Sequence, residues 1–521
     1  MDKEFFLQKK KIEKSKKRFL HLQIMAVLGV SCGFHDASLT VLDGDQIKFA
    51  AHSERYSKHK HDKNLSPKLI EQALKYNITE VAYYETPWLK QMRCWYAGQG
   101  MDWKYTRLNN VLKNQFGPYY KEIEHLPKQY YRHHLSHAAA GFQTSKFDDA
   151  TVVVVDAIGE FDCLTIWDAK YVNGKAQYKK VFTRRYPHSL GLFYSAMTGR
   201  AGLKPLDEEY ILMGMSAFGN PHLEKMDEII EDKFDIRFKT NCHLGLQHWH
   251  PELTEIDVAT SAQYEFQLLM QNVWKIARDK GSSDNLVYMG GCALNCVANE
   301  EIGLFFQNIW IMPNPGDAGS SLGAAALTYG GRVDWQNPYL GEEIKGEYPV
   351  NQVLETLLDT GICGVATGRA EFGPRALGNR SLLADPRSPG MKDRVNNIKR
   401  RQQFRPFGPA ILSEQVENYY EMPVGWQDSP YMQVIARVQS GKKIMKGIQY
   451  PAVIHADGTT RVQTVDQHMN PGFRALLEKW FIITDCPILL NTSLNIRGEP
   501  MVNTRADADR FTLEYGVPVW S

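Results

Sequence analysis

The chain has 521 residues, 43% of them hydrophobic and 23% charged, and a formal net charge of +2. This length and composition predict a globular protein of about two to four domains, and the near-neutral charge gives no general reason to expect a polyanionic partner. The eight cysteines contain no CxxC pair, so neither a zinc knuckle nor a disulfide framework is indicated, and a reducing cytoplasm is the expected setting.

Residues 1–24 form a basic extension with eight Lys or Arg against three Asp or Glu. No apolar segment follows them, so they are not a secretory signal, and no apolar run elsewhere approaches the roughly 18 residues that cross a membrane. A solvated helix or tail is the commonest structure for such a run, and contact with nucleic acid or an acidic surface is the alternative.

The same order of predicted strands occurs twice in the chain. Residues 27–51 and residues 151–182 each contain a strand, a polar turn with glycine, a second strand, an Asp-Gly or Asn-Gly hairpin turn and a third strand. Such a duplication predicts two similar half-domains that face a cleft, whereas two unrelated hairpins are the simpler interpretation.

A helix-favouring segment with two histidines precedes the second copy of this pattern. Its spacing puts His133 and His137 on one helix face, and Asp156 ends the valine-rich strand that follows. Two imidazoles and a carboxylate can bind a divalent metal, iron or zinc, although ordinary helix-surface histidines have the same spacing. Asp317, at a later loop-to-helix junction, is either an N-cap or a fourth ligand.

A short strand at 286–289 enters the glycine pair Gly290 and Gly291, which Cys292 and Asn295 follow. Glycines that open a helix let backbone amides approach a nucleotide closely. A thiol nucleophile is disfavoured, because no basic partner lies near Cys292 in the sequence.

The last part of the chain follows a segment at 336–350 that is rich in Pro, Gly and Glu and indicates a linker. Its arginines concentrate in loops with Gly, Pro and Phe at 368–381, 399–408 and 455–463. Guanidinium groups fit phosphate and carbonyl oxygens, so these loops predict a pocket for a compact, multiply charged anion. Solvated surface arginines are the alternative.

Aromatic and basic residues alternate between Cys94 and Arg132, with Trp95 and Trp103 among them. Because this segment leads into the histidine pair, it is a candidate lining for the entrance of an acceptor substrate. An aromatic helical core with snorkelling lysines is the alternative.

Taken together, these segments resemble the O-carbamoyltransferases of the nodulation-factor, cephalosporin and tobramycin type. The resemblance covers nearly all of residues 25–521, and its motifs occur in the same order along the chain. They are residues 35–38, 54–57, 60–62, 290–295, 314–323, 371–381, 404–409, 461–465 and 490–498, with His133 and His137.

The resemblance implies an α/β protein in which residues 25–339 form a duplicated ASKHA-type (actin- or ribonuclease-H-like) carbamoyl-transfer domain. Residues 340–521 would form a YrdC-like α/β domain that makes carbamoyl-adenylate from carbamoyl phosphate and ATP, with Mg²⁺. The carbamoyl group would then pass to an acceptor hydroxyl. That acceptor is either a sugar or antibiotic-type small molecule or a hydroxymethylpyrimidine in a nucleotide or DNA, and the sequence does not indicate the oligomeric state.

Individual roles follow from the resemblance. His35 would be the base that deprotonates the acceptor, and Lys60 would lie close to the transferred group. A divalent metal would be held by His133, His137, Asp156 and Asp317. Carbamoyl phosphate and ATP would be bound by Arg375, Lys399, Arg405, Arg461, Ser493, Gly290, Gly291 and Asn295. In one departure from the family pattern, residues 208–214 contain no lysine before Met213 and Gly214.

Two other classes of protein compete with this hypothesis. An ASKHA-type kinase that uses ATP directly would share the duplicated strands but not the arginine-rich loops. A non-catalytic ATP-binding module would not need His35, Lys60 or those loops. Release of pyrophosphate from ATP that depends on carbamoyl phosphate separates the three.

Overall fold

The structure is a computed structural model that describes residues 26–439 and 450–521. The basic extension at residues 1–24 lies outside the described residues. Within the described ranges no helix is both long enough and apolar enough to cross a membrane.

Two five-stranded sheets with the same strand order dominate the described residues before 339. The strands of this part are β1 Ala26–Ser31, β2 Ser38–Asp43, β3 Gln46–His52, β4 Ile78–Tyr83, β5 Lys128–Tyr130, β6 Asp149–Gly159, β7 Asp162–Val172, β8 Lys175–Arg185, β9 Ile230–Asp232, β10 Arg237–Phe238, β11 Asn285–Met289 and β12 Asn308–Trp310. The first sheet has the order β3-β2-β1-β4-β5 and the second has β8-β7-β6-β11-β12.

The pairing directions of the two sheets also agree. In each sheet the first strand pairs antiparallel with the second and parallel with the fourth. The third strand adds antiparallel and the fifth adds parallel at the two edges. The repeated pattern at residues 27–51 and 151–182 therefore corresponds to the first three strands of each sheet.

Two helices between the sheets cross at very short range. A Cβ atom added to Gly323, in the helix Ser320–Tyr329, would lie 1.8 Å from the carbonyl oxygen of Ser136 in the helix His133–Thr144. Runs of alanine at 138–140 and 324–326 are buried in the same helices. Small side chains thus let the two backbones approach, and this contact carries the histidine pair towards the loop before Ser320.

The helices of the described residues before 339 are Glu54–Ser57, Pro67–Ala73, Pro87–Tyr96, Leu108–Phe116, Tyr120–Ile123, His133–Thr144, Leu190–Arg200, Glu209–Met215, Leu223–Met226, Glu255–Lys280 and Ser320–Tyr329. Those after 339 are Val350–Thr360, Met391–Ile398, Val416–Tyr419, Pro471–Thr484 and Arg505–Tyr515. Short 3₁₀ turns connect several of them.

The C-terminal part is built on a six-stranded mixed sheet. The strands of the C-terminal part, in this sheet and in two smaller ones, are β13 Tyr339–Ile344, β14 Ile362–Ala366, β15 Gly368–Glu371, β16 Arg380–Ala384, β17 Gly408–Leu412, β18 Tyr420–Glu421, β19 Ile435–Val438, β20 Thr459–Arg461, β21 Gln463–Val465, β22 Ile488–Ser493 and β23 Val519–Trp520. The main sheet has the order β21-β17-β22-β16-β14-β23, and β18-β19-β20 and β13-β15 form smaller sheets.

Helices cover both faces of this sheet, and successive residues of β14 point alternately into the two cores on either side. Cys363 and Val365 pack with the helices Val350–Thr360 and Pro471–Thr484, whereas Ile362 and Ala366 face the opposite core. The strand is therefore apolar at successive positions, which is typical of a strand buried on both faces.

The predicted linker at 336–350 is not irregular throughout. Residues 339–344 form β13, which pairs antiparallel with β15 and buries Tyr339, Leu340 and Ile344. Composition alone suggested a linker because Pro, Gly and Glu flank this short apolar stretch. The pairing makes residues 339–344 a regular element of the C-terminal part.

The N-terminal and C-terminal parts pack so closely that their backbones are in contact. A Cβ atom on Gly303 would lie 1.6 Å from the carbonyl oxygen of Val424. The Arg55 side chain is buried and donates a hydrogen bond of 2.9 Å to the carbonyl oxygen of Gly373. Lys58 and Asp507 form an ion pair of 2.6 Å.

The Gly303 contact predicts the effect of one added methyl group. Gly303→Ala should destabilise the folded chain by about 1–3 kcal/mol, because the backbone of Val424 must move to admit a Cβ atom. The urea midpoint measures the change. Gly390→Ala is the matched control, since a Cβ atom there meets nothing within 4 Å and its φ is −83°. Equal midpoints for the two variants would contradict the tight contact.

Candidate active site

A cavity of about 410 Å³ lies between the N-terminal and C-terminal parts. Its N-terminal wall includes His35, Lys60, Asp156 and Asp317. From the C-terminal part it is lined by Arg375, Lys399, Arg401, Arg405, Arg461, Ser493, Asn495 and Arg497. The cavity thus joins residues that lie far apart in the sequence.

His133, His137, Asp156 and Asp317 form one buried cluster, and each offers a ligand atom within 4.8 Å of the others. The Nε2 atoms of the two histidines are 3.0 Å apart, and both lie 3.2 Å from Asp317 Oδ1. Asp156 Oδ2 is 3.3 Å from His133 Nε2. Asp317 does not cap the following helix, because its carboxylate turns into this cluster.

Neighbouring groups orient two of the four donors, His137 and Asp156. His137 Nδ1 lies 3.0 Å from the carbonyl oxygen of Pro315, so an Nδ1–H donor leaves the Nε2 lone pair directed into the cluster. Gly291 N–H donates a hydrogen bond of 3.1 Å to the second oxygen of Asp156. Two imidazole nitrogens and two carboxylate oxygens, held in this way, can bind a divalent metal.

The charges of the cluster are balanced between its own members. Burial disfavours the imidazolium form, but Asp317 and Asp156 outweigh it and raise the pKa of His133 well above the usual value. The same histidines outweigh burial at Asp156 and lower its pKa. Because a histidine binds a metal as the neutral imidazole, binding of a divalent metal would release protons from His133 and His137.

His35 stands between this cluster and the cavity. Its Nδ1 lies 3.0 Å from Asp36 Oδ2, and its Nε2 lies 3.9 Å from Asp317 Oδ2. Burial by itself lowers the pKa of His35, but Asp317 and the hydrogen bond to Asp36 raise it to about 9. Positive charge at Asp317 would weaken this effect.

Lys60 belongs to a chain of alternating charges along the cavity wall. Its Nζ donates a hydrogen bond of 2.6 Å to Asp207 Oδ1. His61 lies between Asp36 and Asp207, at 2.8 Å and 3.0 Å. The chain links the loop that carries His35 to the start of the helix Glu209–Met215.

Four guanidinium groups crowd the opposite wall, at Arg375, Arg401, Arg405 and Arg461. Burial, followed by repulsion from Arg461, lowers the pKa of Arg375, and burial with Arg405 lowers that of Arg401. In the part of the chain that the structure describes, no carboxylate lies within 4.0 Å of any of the four. Partly buried guanidinium groups without a carboxylate partner make a binding site for an anion.

Lys399 and Ser493 are adjacent on the same wall. The Lys399 ammonium donates hydrogen bonds of 2.8 and 3.0 Å to Asn495 O and Oδ1, and it lies 3.3 Å from Ser493 Oγ. Lys399 therefore holds the 493–495 loop in place, while burial and the nearby Arg401 and Arg405 lower the pKa of its amine well below the usual value.

The glycine pair is arranged differently from the expectation. Gly290 is not among the residues that line the cavity. Its N–H donates a hydrogen bond of 2.9 Å to the carbonyl oxygen of Pro315. A Cβ atom on Gly290 would lie 2.1 Å from the carbonyl oxygen of Val155. The amide of Gly291 is engaged by Asp156. Gly291 and Asn295 line the cavity, but the segment Gly291–Leu294 is a 3₁₀ turn and not the start of an α-helix.

The structure does not favour Cys292 as a nucleophile, and it places the aromatic segment outside the cavity. Burial raises the pKa of the Cys292 thiol, in agreement with the argument against a nucleophile. Trp95 and Trp103 are 67% and 75% exposed, and none of residues 94–132 lines the cavity. The expected acceptor entrance therefore does not coincide with this cavity.

Comparison with known proteins identifies the family. A family model described as Carbamoyltransferase N-terminus matches residues 89–326, and one described as Carbamoyltransferase C-terminus matches residues 354–519. An uncharacterized protein of Synechocystis sp. is 32% identical over 93% of both chains. The chain belongs to the carbamoyltransferase family. It is an enzyme that transfers carbamoyl groups.

A named relative gives a second point of comparison. The 3'-hydroxymethylcephem-O-carbamoyltransferase of Amycolatopsis lactamdurans is 26% identical over 93% of this carbamoyltransferase and 95% of its own chain. Among solved structures, HypF of T. kodakarensis is 11% identical, with a TM-score of 0.34 over 59% of this chain and 48% of its own. That structural likeness is too low to support an argument.

The structure adds residues to the candidate site of this carbamoyltransferase that the sequence did not single out. They are His61, Asp207, Tyr210, Arg401, Asn495 and Arg497. Arg401 stood in the predicted arginine-rich loops without an individual role. Asp207 and Tyr210 had no sequence signal, because their partners lie about 150 to 200 positions away.

The metal cluster predicts the behaviour of a double variant. His133→Ala with His137→Ala should remove bound divalent metal and abolish carbamoyl transfer, because two of the four donors are lost. Metal analysis of the purified carbamoyltransferase by mass spectrometry measures the first effect. The exposed His125→Ala variant is the control. Full metal content and full activity in the double variant would refute a metal site here.

His61 predicts a dependence of stability on pH. Burial opposes its charge, but hydrogen bonds to Asp207 and Asp36 raise the pKa of His61 from 6.5 to about 10. Since the folded chain holds this proton more tightly, the stabilisation is complete below about pH 6.5 and is lost as the pH rises towards 10. Urea midpoints between pH 6.5 and 10 should fall less steeply for His61→Asn than for wild type.

Asparagine suits position 61 because its φ of 54° is left-handed. His125→Asn controls for loss of an exposed histidine. Parallel pH profiles for wild type and His61→Asn would mean that His61 is not a protonated partner of Asp207.

Proposed function

We propose that this carbamoyltransferase activates carbamoyl phosphate with ATP as carbamoyl-adenylate and transfers the carbamoyl group to an acceptor hydroxyl. The observation that carries the proposal is the single cavity with two unlike walls. One wall holds four guanidinium groups with no carboxylate within 4.0 Å among the described residues, and the other holds His35 beside the His-His-Asp-Asp cluster.

The arginine-rich wall suits the activation step. Atom balance requires that carbamoyl phosphate lose its phosphate to water, giving carbamate. A carbamate oxygen then attacks the α-phosphorus of ATP, and the bond to pyrophosphate breaks. Both steps develop negative oxygens, which the guanidinium groups of Arg375, Arg405 and Arg461 on the cavity wall stabilise. Mg²⁺ would accompany ATP.

The opposite wall suits the transfer step. The acceptor oxygen attacks the carbamoyl carbon, the bond from that carbon to the AMP oxygen breaks, and AMP leaves. His35 takes the hydroxyl proton on Nε2 when its Nδ1–H donates to Asp36. A divalent metal held by His133, His137, Asp156 and Asp317 would polarise the adenylate and offset the carboxylate charge that keeps His35 protonated.

The two parts of the chain correspond to the two steps. The matching strand order of the two N-terminal sheets supports an ASKHA-type duplication for residues 25–339. A YrdC-like assignment for residues 340–521 rests on the sequence resemblance and on the arginine-rich loops around the mixed sheet. An ASKHA-type kinase would leave those unpaired arginines without a use.

The acceptor is proposed to be a small molecule with a free hydroxyl, such as a sugar or an antibiotic. A cavity of about 410 Å³ suits ligands of that size. A hydroxymethylpyrimidine in a nucleotide or DNA is the second candidate. Mass spectrometry on a panel of both classes, looking for gain of one carbamoyl group, distinguishes them.

The two steps predict separable variants. Arg405→Ala should lower carbamoyl-phosphate-dependent pyrophosphate release by about 100-fold, since a donor to developing charge is lost. His35→Ala should keep the single-turnover burst of pyrophosphate and lose transfer. A rapid-quench assay measures the release of pyrophosphate by each variant, and mass spectrometry of the acceptor measures transfer.

Arg474→Ala is the matched control for Arg405→Ala, because Arg474 pairs with Glu414 away from the cavity. Loss of the burst in His35→Ala would contradict its role as the transfer base. Pyrophosphate release without carbamoyl phosphate in wild type would favour a different ATP-dependent reaction.

A further inference from the structure

Residues 207–210 lie between the two walls of the cavity and contact both. Asp207 binds Lys60 and His61 on the N-terminal wall. Glu208 accepts a hydrogen bond of 2.6 Å from Arg497 on the C-terminal wall. Asp207 therefore contacts the wall that we assign to transfer, and Glu208 contacts the wall that we assign to activation.

Tyr210, two residues further on, contacts a cation from each wall. The Lys60 ammonium lies 5.4 Å from the centre of the Tyr210 ring, and the Arg405 guanidinium lies 4.7 Å from the same centre. Both distances are within the range in which the negative face of an aromatic ring attracts a cation. Two like charges that would repel each other are thus joined through one ring.

The helix that carries this ring is fixed at both ends. Glu209 Oε1 accepts a hydrogen bond of 2.6 Å from Ser195 Oγ. At the other end, a Cβ atom on Gly214 would lie 3.7 Å from the Phe404 ring, which directly precedes Arg405. Tyr210 therefore lines the cavity at the boundary between the two parts of the chain, on a helix with contacts at both ends.

We propose that Tyr210 is a positioning residue. Its ring holds Lys60 of the N-terminal part and Arg405 of the C-terminal part close together, on either side of the bound intermediate. The inference rests on the proposed function, because it assumes that carbamoyl-adenylate forms at the arginine-rich wall and reacts at the other. With the ring in place, the two cations stay together and the adenylate is retained until an acceptor arrives.

Loss of the ring would let the intermediate escape to water. In that leak, a water oxygen attacks the carbamoyl carbon, the bond to the AMP oxygen breaks, and the products are carbamate, AMP and a proton. The leak consumes ATP without any acceptor. It is measurable before the natural acceptor has been identified.

The experiment uses the full chain with ATP, Mg²⁺ and carbamoyl phosphate and no acceptor. Acid quench and mass spectrometry give the carbamoyl-adenylate retained per enzyme, and AMP formation gives the leak. Tyr210→Leu should raise the steady-state rate of AMP release about tenfold and lower the retained adenylate. Tyr210→Phe should resemble wild type, because the ring is kept. Tyr264→Leu, an exposed tyrosine outside the cavity, is the matched control.

Each result decides the matter. Retention by Tyr210→Leu equal to wild type would overturn the proposal, and so would equal leaks from Tyr210→Phe and Tyr210→Leu, since the ring would then not be the holding element. A pyrophosphate burst in Tyr210→Leu as weak as that of Arg405→Ala would also overturn the proposal, because the ring would then serve activation and not retention. Absence of carbamoyl-adenylate in wild type would overturn the proposed function itself, which the wild-type sample reports independently of any variant.

Discussion

The close crossing of the helices His133–Thr144 and Ser320–Tyr329 is the contact on which the rest of the site depends. At Gly323 the second backbone lies so near Ser136 that no side chain fits, and a Cβ atom on Gly29 would lie 1.9 Å from the carbonyl oxygen of Ser321. This packing brings the histidine pair against Asp317 and joins the helix Ser320–Tyr329 to the first strand. A larger residue at either glycine would separate the metal-cluster donors.

The cavity is organised by charges that are compensated on one wall and uncompensated on the other. On the N-terminal wall, Asp156, Asp207 and Asp317 each lie within 3.3 Å of an imidazole or an ammonium group, so their charges are compensated without a ligand. The guanidinium groups opposite repel one another, and burial adds to the cost of their charge. Such a wall gains stability when an anion binds, which couples substrate binding to the integrity of the C-terminal part.

Several features were predicted from the sequence because they depend on local chemistry. The three-strand pattern at 27–51 and 151–182, the helical spacing of His133 and His137, and the arginine-rich loops all follow from short-range periodicity and residue type. The linker at 336–350 was wrong in part, since pairing of β13 with β15 is a long-range contact. The nucleotide contact expected of Gly290 stays a prediction, and the structure adds that this glycine is also required by its close approach to Val155.

By itself, the sequence determined the kinds of side chain available, the family to which they belong and the strands that repeat. Only the tertiary structure decided which of these groups share a cavity. Asp207, Tyr210 and Arg405 carry no common motif, and the contacts of Lys60 with Asp207 and of Tyr210 with Arg405 join positions about 150 to 200 residues apart. Contacts of that kind depend on the packing of elements far apart in the chain, and a local sequence pattern contains no information about the distance between them.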